Sequence, residues 1–136
     1  NPPAEDRRVV LLADDDEDER EMARFVLEAE GHEVVCAAHG KEALEKLVSE
    51  GAKEPALIVL DLRMPVMSGW EFLSIVKSYR RLGAIPVLVV SAITPSEDTL
   101  EHGALAGYLP KPLDERGFRT AIRGILSSRG SAPTIS

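Results

Sequence analysis

The sequence predicts an α/β protein in which five parallel strands alternate with helices, a (βα)5 architecture, and three features carry that reading. Ala56-Leu-Ile-Val-Leu-Asp61 runs through branched apolar residues without polar alternation, the habit of a strand covered by helices on both faces. Strand-like runs alternate with helical patterns of about ten to fifteen residues, the spacing of right-handed βαβ units. The runs also end in polar residues: Asp14, Asp15 and Asp16 after the first, Asp61 after the third, Ser91 after the fourth and Lys111 after the fifth. Ligands collect at the carboxyl edge of open α/β sheets. Six polar groups are therefore expected on one edge.

Taken in order, residues 1–8 are Pro-bearing and charged and read as a disordered lead-in. Val9-Val-Leu-Leu-Ala13 is the first strand. Over 17–30, Met22, Phe25, Val26 and Ala29 fall at helical spacing, and Gly31 is a natural stop. Glu33-Val-Val-Cys-Ala37 is the second strand, and 41–50 is a helix facing inward through Ala43, Leu44, Leu47 and Val48. After the buried strand to Asp61, a loop leads to a helix over 70–81. Its inward candidates are Phe72, Leu73, Val76 and Tyr79, and Gly83 closes it. Ile85-Pro-Val-Leu-Val-Val-Ser91 is the fourth strand. A short helix over 94–102 opens on Thr94 with Pro95 at its first position. Gly107-Tyr-Leu-Pro110 is a brief fifth strand, and 114–128 is a closing helix carrying Phe118, Ile122 and Ile125. The small, polar residues from 129 to the end predict a flexible tail.

The chain has 136 residues, one domain's length, and its 44% hydrophobic content suffices for a core. A single domain over 9–128 is expected. With 23 acidic against 16 basic residues the net charge is −7, which argues against a nucleic-acid footprint. No apolar run reaches the ~18 residues of a membrane span. The lone Cys36 has no disulfide partner and reads as a small buried hydrophobe in a reducing cytoplasm. Because the chain starts at Asn1 rather than Met, a larger parent stays open.

Carboxylates gathered at one edge repel one another and call for a cation. Mg²⁺, held by one or two carboxylates with waters and phosphate oxygens, answers this and leaves room for a phosphorylated species. Asp14 and Asp15 are the candidate ligands. Asp61 is a third, and it can also act as a nucleophile, since aspartyl phosphate is a known covalent intermediate. Lys111 offers a point charge and Ser91 a donor for phosphoryl oxygens. Other readings are plainer. Asp16, Glu17 and Asp18 suit a helix N-terminus. His32, His39 and His102 share no ligand spacing and are expected at the surface. Trp70 and Phe72 suit helix packing or a surface contact. Gly40-Lys41 lacks the context of a phosphate loop. Asp14-x-Asp16 superficially matches the nucleophile motif of haloacid-dehalogenase-type phosphatases, but Glu17 and Asp18 stand where that motif wants small or branched residues.

The chain resembles a response-regulator receiver domain of two-component signalling. The likeness runs over about residues 9–126. It rests on Leu11-Leu-Ala-Asp-Asp15, Asp61-Leu-Arg-Met-Pro-Val-Met-Ser-Gly-Trp-Glu-Phe-Leu73, Val89-Val-Ser-Ala92 and Gly107-Tyr-Leu-Pro-Lys-Pro112, in that order. The resemblance implies a flavodoxin-like sheet in the order 2-1-3-4-5. It implies that Asp61 takes a phosphoryl group from a histidine kinase or phosphotransfer protein. Asp14, Asp15, Asp61 and the backbone carbonyl of Arg63 would hold Mg²⁺. Ser91 and Tyr108 match the family's switch pair, with the Tyr108 ring turning in from solvent, and Lys111 its phosphate-contacting lysine. Output to a downstream protein, or a homodimer formed on phosphorylation, would use the fourth helix, fifth strand and fifth helix. Arg63 and Ile93 would flank an attacking water, where bulk slows dephosphorylation. The stretch between Ser91 and Lys111 is about two residues shorter than the family's usual spacing. Apart from Mg²⁺-dependent autophosphorylation and slow autodephosphorylation, no enzymatic turnover is expected. The alternative is a degenerate receiver that acts as a phosphorylation-independent interaction module.

Overall fold

A computed structural model of the chain describes residues 8–49, 51–92 and 105–130. Its centre is a five-stranded sheet in the order β2-β1-β3-β4-β5, every neighbouring pair parallel. The strands are β1 (Val9–Ala13), β2 (Glu33–Ala37), β3 (Leu57–Asp61), β4 (Val87–Ser91) and β5 (Leu105–Pro110). Helices α1 (Glu17–Ala29), α2 (Gly40–Val48) and α3 (Gly69–Lys77) and a C-terminal helix (Glu115–Gly130) cover it. The helix expected over 94–102 lies outside the described residues.

Alternation along the strands sorts the core into two layers. Leu11, Ala13, Ile58, Leu60, Val87 and Val89 point to the face under α2 and α3, where Ala43, Leu47, Phe72 and Val76 meet them. Val10, Leu12, Leu57, Val59, Leu88 and Val90 point to the other face and meet Ala23, Val26, Leu27, Phe118 and Ile122 of α1 and the C-terminal helix. The central strand β3 is buried along its whole length. This is why its sequence shows no alternation: both sides have a hydrophobic partner, each such side chain worth roughly 1.5–3 kcal/mol on burial. No helix among the described residues is long and apolar enough to cross a membrane.

Several helix phases and ends differ from the sequence reading. In α1 the stripe 22-25-26-29 and the stripe 23-26-27 share Val26, and the structure takes the second. Ala23 and Leu27 go inward, Ala29 is exposed, and Phe25 is 63% exposed. The small Ala23 lets the helix lie close on the sheet. In α2 the buried residues are Gly40, Ala43 and Leu47, leaving Val48 in solvent. Helix α3 ends at Lys77, not at residue 81. The Ser78 amide donates to the Ile75 and Val76 carbonyls, its hydroxyl donates to the Ile75 carbonyl at 2.6 Å, and Lys77 Nζ reaches the Gly83 carbonyl at 2.9 Å. Tyr79 is thereby left exposed, and a 3-10 turn, Leu82–Ala84, leads into β4. β5 starts two residues earlier than expected, at Leu105, and a register shift against Val87/Leu88 takes up the irregularity. The C-terminal helix starts at Glu115, with the Asp114 carboxylate accepting the Gly117 amide at 2.8 Å, and it runs past residue 128.

Candidate functional site

β1, β3 and β5 deliver Asp14, Asp61 and Lys111 to the same edge because each strand ends just before its polar residue or on it. Asp61 is the last residue of β3, paired with Val90 of β4, and is 3% exposed. Its Oδ1 accepts the Arg63 amide at 3.2 Å and its Oδ2 accepts Lys111 Nζ at 3.2 Å. Asp14 is also buried. Its amide donates to the Ala37 carbonyl at 3.0 Å, and its Oδ1 accepts both the Asp16 amide and Lys111 Nζ, each at 2.9 Å. Asp15 faces solvent, yet its carboxylate joins those of Asp14 and Asp61 in a group whose nearest oxygens lie within 4.8 Å of one another.

Backbone detail fixes these positions. Helix α3 starts against the back of Asp61: the Gly69 amide donates to the Leu62 carbonyl at 3.0 Å, and a Cβ at Gly69 would stand 2.3 Å from the Asp61 carbonyl oxygen. Only glycine permits that approach. Ser68 and Glu71 close a reciprocal capping box at this end. Between Asp61 and Ser68 the chain turns through Val66 at a φ of +70°, with the Met67 amide donating to the Pro65 carbonyl at 2.7 Å. That three-residue turn holds a β-branched residue in a strained conformation beside the site. Lys111, joined to Pro112 by a cis peptide bond, is held through its own backbone, its amide donating to the Ser91 carbonyl at 3.1 Å. The same carbonyl accepts the Tyr108 hydroxyl at 3.3 Å.

The electrostatics follow from burial. Removal from water, then the charge of Asp14, push Asp61 up to about 6, against the pull of Lys111 and the Arg63 amide. Burial works against the Lys111 ammonium, but the hydrogen bond and charge of Asp14, followed by Asp61, outweigh it and hold lysine above its ordinary value. Two carboxylates thus meet one ammonium with a third, Asp15, beside them, and the negative surplus is partly relieved by keeping Asp61 easy to protonate.

The remaining expected residues are placed as follows. Ser91 is fully buried at the end of β4. Tyr108 is half-buried against the α2/α3 face of the core, its ring not turned out to solvent. The Arg63 side chain is exposed beside the site, and Ile93 lies outside the described residues. Asp16 is exposed, and its carboxylate caps α1 by accepting the Glu19 amide at 3.0 Å, so it does not converge with Asp14 as a phosphatase pair would. Trp70 lines an open cleft of about 540 Å³ with Asp15, Arg63 and Met64. His39 is not a bare surface residue: it caps α2, Nδ1 accepting the Glu42 amide at 3.1 Å. The roles of two contributors escaped the sequence reading. Gly69 stood in the family-like motif with no role given to it, and Arg20, a basic residue on an acidic helix, reaches back to the Asp14 carbonyl with Nη1 at 2.7 Å.

Comparison with known proteins agrees with this geometry. Residues 10–123 match the family model described as the response regulator receiver domain. The polar-differentiation response regulator DivK of Brucella ovis is 31% identical over 119 residues, 86% of this chain and 94% of DivK. The transcriptional regulatory protein CpxR homolog of Haemophilus influenzae is 38% identical over 128 residues; the match covers 92% of this chain but 52% of that protein, so the chain spans about half its length. The chemotaxis response regulator CheY4 of Vibrio cholerae superposes with a TM-score of 0.75 at 31% identity, covering 86% of this chain and 97% of CheY4. The strand order, the acids and lysine at one sheet edge and the match over 10–123 have one reading: the chain belongs to the response regulator receiver domain family of two-component signalling.

Proposed function

We propose that Asp61 accepts a phosphoryl group from a histidine kinase or phosphotransfer protein, with Mg²⁺ held beside it. The observation that carries this reading is the Lys111 ammonium spanning Asp14 at 2.9 Å and Asp61 at 3.2 Å within a set of three carboxylates. The donor set fits a small hard dication. It is all oxygen, its charge is undercompensated, and burial and then the charge of Asp14 push the acid at its centre up to about 6. Asp14, Asp15 and Asp61 would hold the ion, with the Arg63 carbonyl as the further ligand the family resemblance implies. When bound, it supplies neutralisation of the phosphoryl oxygens.

The chain's own residues do the rest. A carboxylate oxygen of Asp61 forms the bond to phosphorus as the donor's phosphorus–nitrogen bond breaks, and the imidazole leaves with the electron pair. Lys111, already within reach of Asp61, takes up the charge of the transferred group. Phosphorylation adds about 1.5 to 2 negative charges and three acceptor oxygens. The Ser91 hydroxyl turns toward one of these. Tyr108, bonded to the Ser91 carbonyl, follows, so the pair converts the charge into a shift between two packings. The changed face includes β5 and the C-terminal helix and would meet a downstream protein or a second copy of the chain. A cytoplasmic setting and no direct nucleic-acid contact complete the reading.

Incubation with acetyl phosphate and Mg²⁺ should label the protein stoichiometrically, and EDTA or Asp61→Asn should abolish the label. Labelling that persists in Asp61→Asn would refute the assignment. A wild-type protein that neither labels nor binds Mg²⁺ would be the interaction module instead.

A further inference from the structure

We infer that Arg20 is the positioning residue of this site: it clamps the acidic turn after β1 at both ends and so presets the carboxylates of Asp14 and Asp15 for a divalent cation. The inference rests on the Mg²⁺ reading above. The Arg20 amide donates to the Asp16 carbonyl at 2.9 Å, and its guanidinium Nη1 donates to the Asp14 carbonyl at 2.7 Å. One residue on the first turn of α1 therefore holds the first and last peptide units of Asp14-Asp15-Asp16. The other groups of Asp14 are fixed as well. Its amide is tied to Ala37, and its Oδ1 accepts from Asp16 and Lys111. Among the described residues Oδ2 has no protein partner. Rotating the carboxylate would break the Oδ1 bonds to the Asp16 amide and Lys111, and the charge-assisted Arg20 bond holds the peptide that carries it.

Arg20 forms no ion pair among the described residues, although acids surround it along α1; its guanidinium is committed to a carbonyl. This permits a test on sign. Were Arg20 simply a cation near the site, its removal would relieve repulsion and tighten Mg²⁺ binding. As an outer partner that orients a ligand, its removal must weaken binding even though a positive charge has gone.

Calorimetric titration of the whole chain with MgCl2 at pH 8 separates the two. Arg20→Gln should weaken Mg²⁺ about tenfold, the lower end of the loss when an outer partner of a metal site is removed. Arg20→Lys, which can still reach a carbonyl with an ammonium, should recover most of that loss. Far-UV dichroism in EDTA should show both variants folded, and if Arg20→Gln alone fails to fold, Arg20→Met replaces it. Binding by Arg20→Gln that equals or exceeds wild type overturns the inference while leaving the Mg²⁺ reading intact. A wild-type chain that shows no Mg²⁺ heat up to a test concentration of about 10 mM, above the ~10⁻³ M weak end of oxygen-ligated Ca²⁺ sites, removes both.

Discussion

A carboxyl group raised to about 6 at a strand end is costly to keep, and that cost can be measured at Asp61. Its folded value lies above the ordinary 3.8, so the folded state binds the proton more tightly than the unfolded chain does. The resulting penalty is fully present above pH 6 and absent below about 4. In metal-free buffer, Asp61→Asn should therefore stabilise the fold at pH 8 by about 1–3 kcal/mol, and the gain should fade as the pH drops through 6. Urea denaturation at pH 8, 6 and 4 checks this, and an equal gain at all three would contradict it. At this scale the sequence was most legible. Asp14, Asp61 and Lys111 each follow an apolar run and stand where the runs predict. Arg20 was illegible because nothing in an acidic helix tells which way a guanidinium bends, and the bond that matters is to a main-chain carbonyl.

The elements were legible in kind and order but less so in phase and extent. Runs that are apolar on every residue left little doubt about the central strands. Helices depend on which of two overlapping stripes meets the sheet, and Phe25 shows how an aromatic side chain misleads when Ala23 and Leu27 offer a closer approach. Caps were harder still. His39 accepts the Glu42 amide while Glu42 Oε1 accepts the amide of Ala38, one residue before the cap, at 2.8 Å, so this end is closed on a residue that rarely caps. The end it secures lies on the turn beside Asp61: the Gly40 amide donates to the Met67 carbonyl at 3.0 Å, with no room there for a Cβ. His39→Ala should cost about 1 kcal/mol and His39→Asn much less, read by thermal denaturation. If the two variants melt together, the cap contributes nothing.

Across the whole molecule, two apolar layers flank a sheet that gathers three carboxylates and an ammonium at one edge. Anything that binds the folded edge and not the unfolded chain must stabilise the whole. Saturating Mg²⁺ at about a hundredfold above its dissociation constant should contribute about 2.7 kcal/mol at pH 8, a rise in Tm of several degrees. Asp14→Asn combined with Asp15→Asn should abolish the rise. Calorimetric scans with MgCl2 and with EDTA test this, and a rise that survives the double substitution would place the cation elsewhere.

Lys111 bonds to Asp14 across 97 positions of chain and to Asp61 across 50. The lysine arrives only with β5, the last strand, so a chain still being synthesised, or one clipped before that strand, carries the acids without their ammonium. Such a fragment would hold an acceptor with no means of steadying an incoming group. On the phosphoacceptor reading, chemical competence would wait for the last strand, since the lysine that meets both acids follows it.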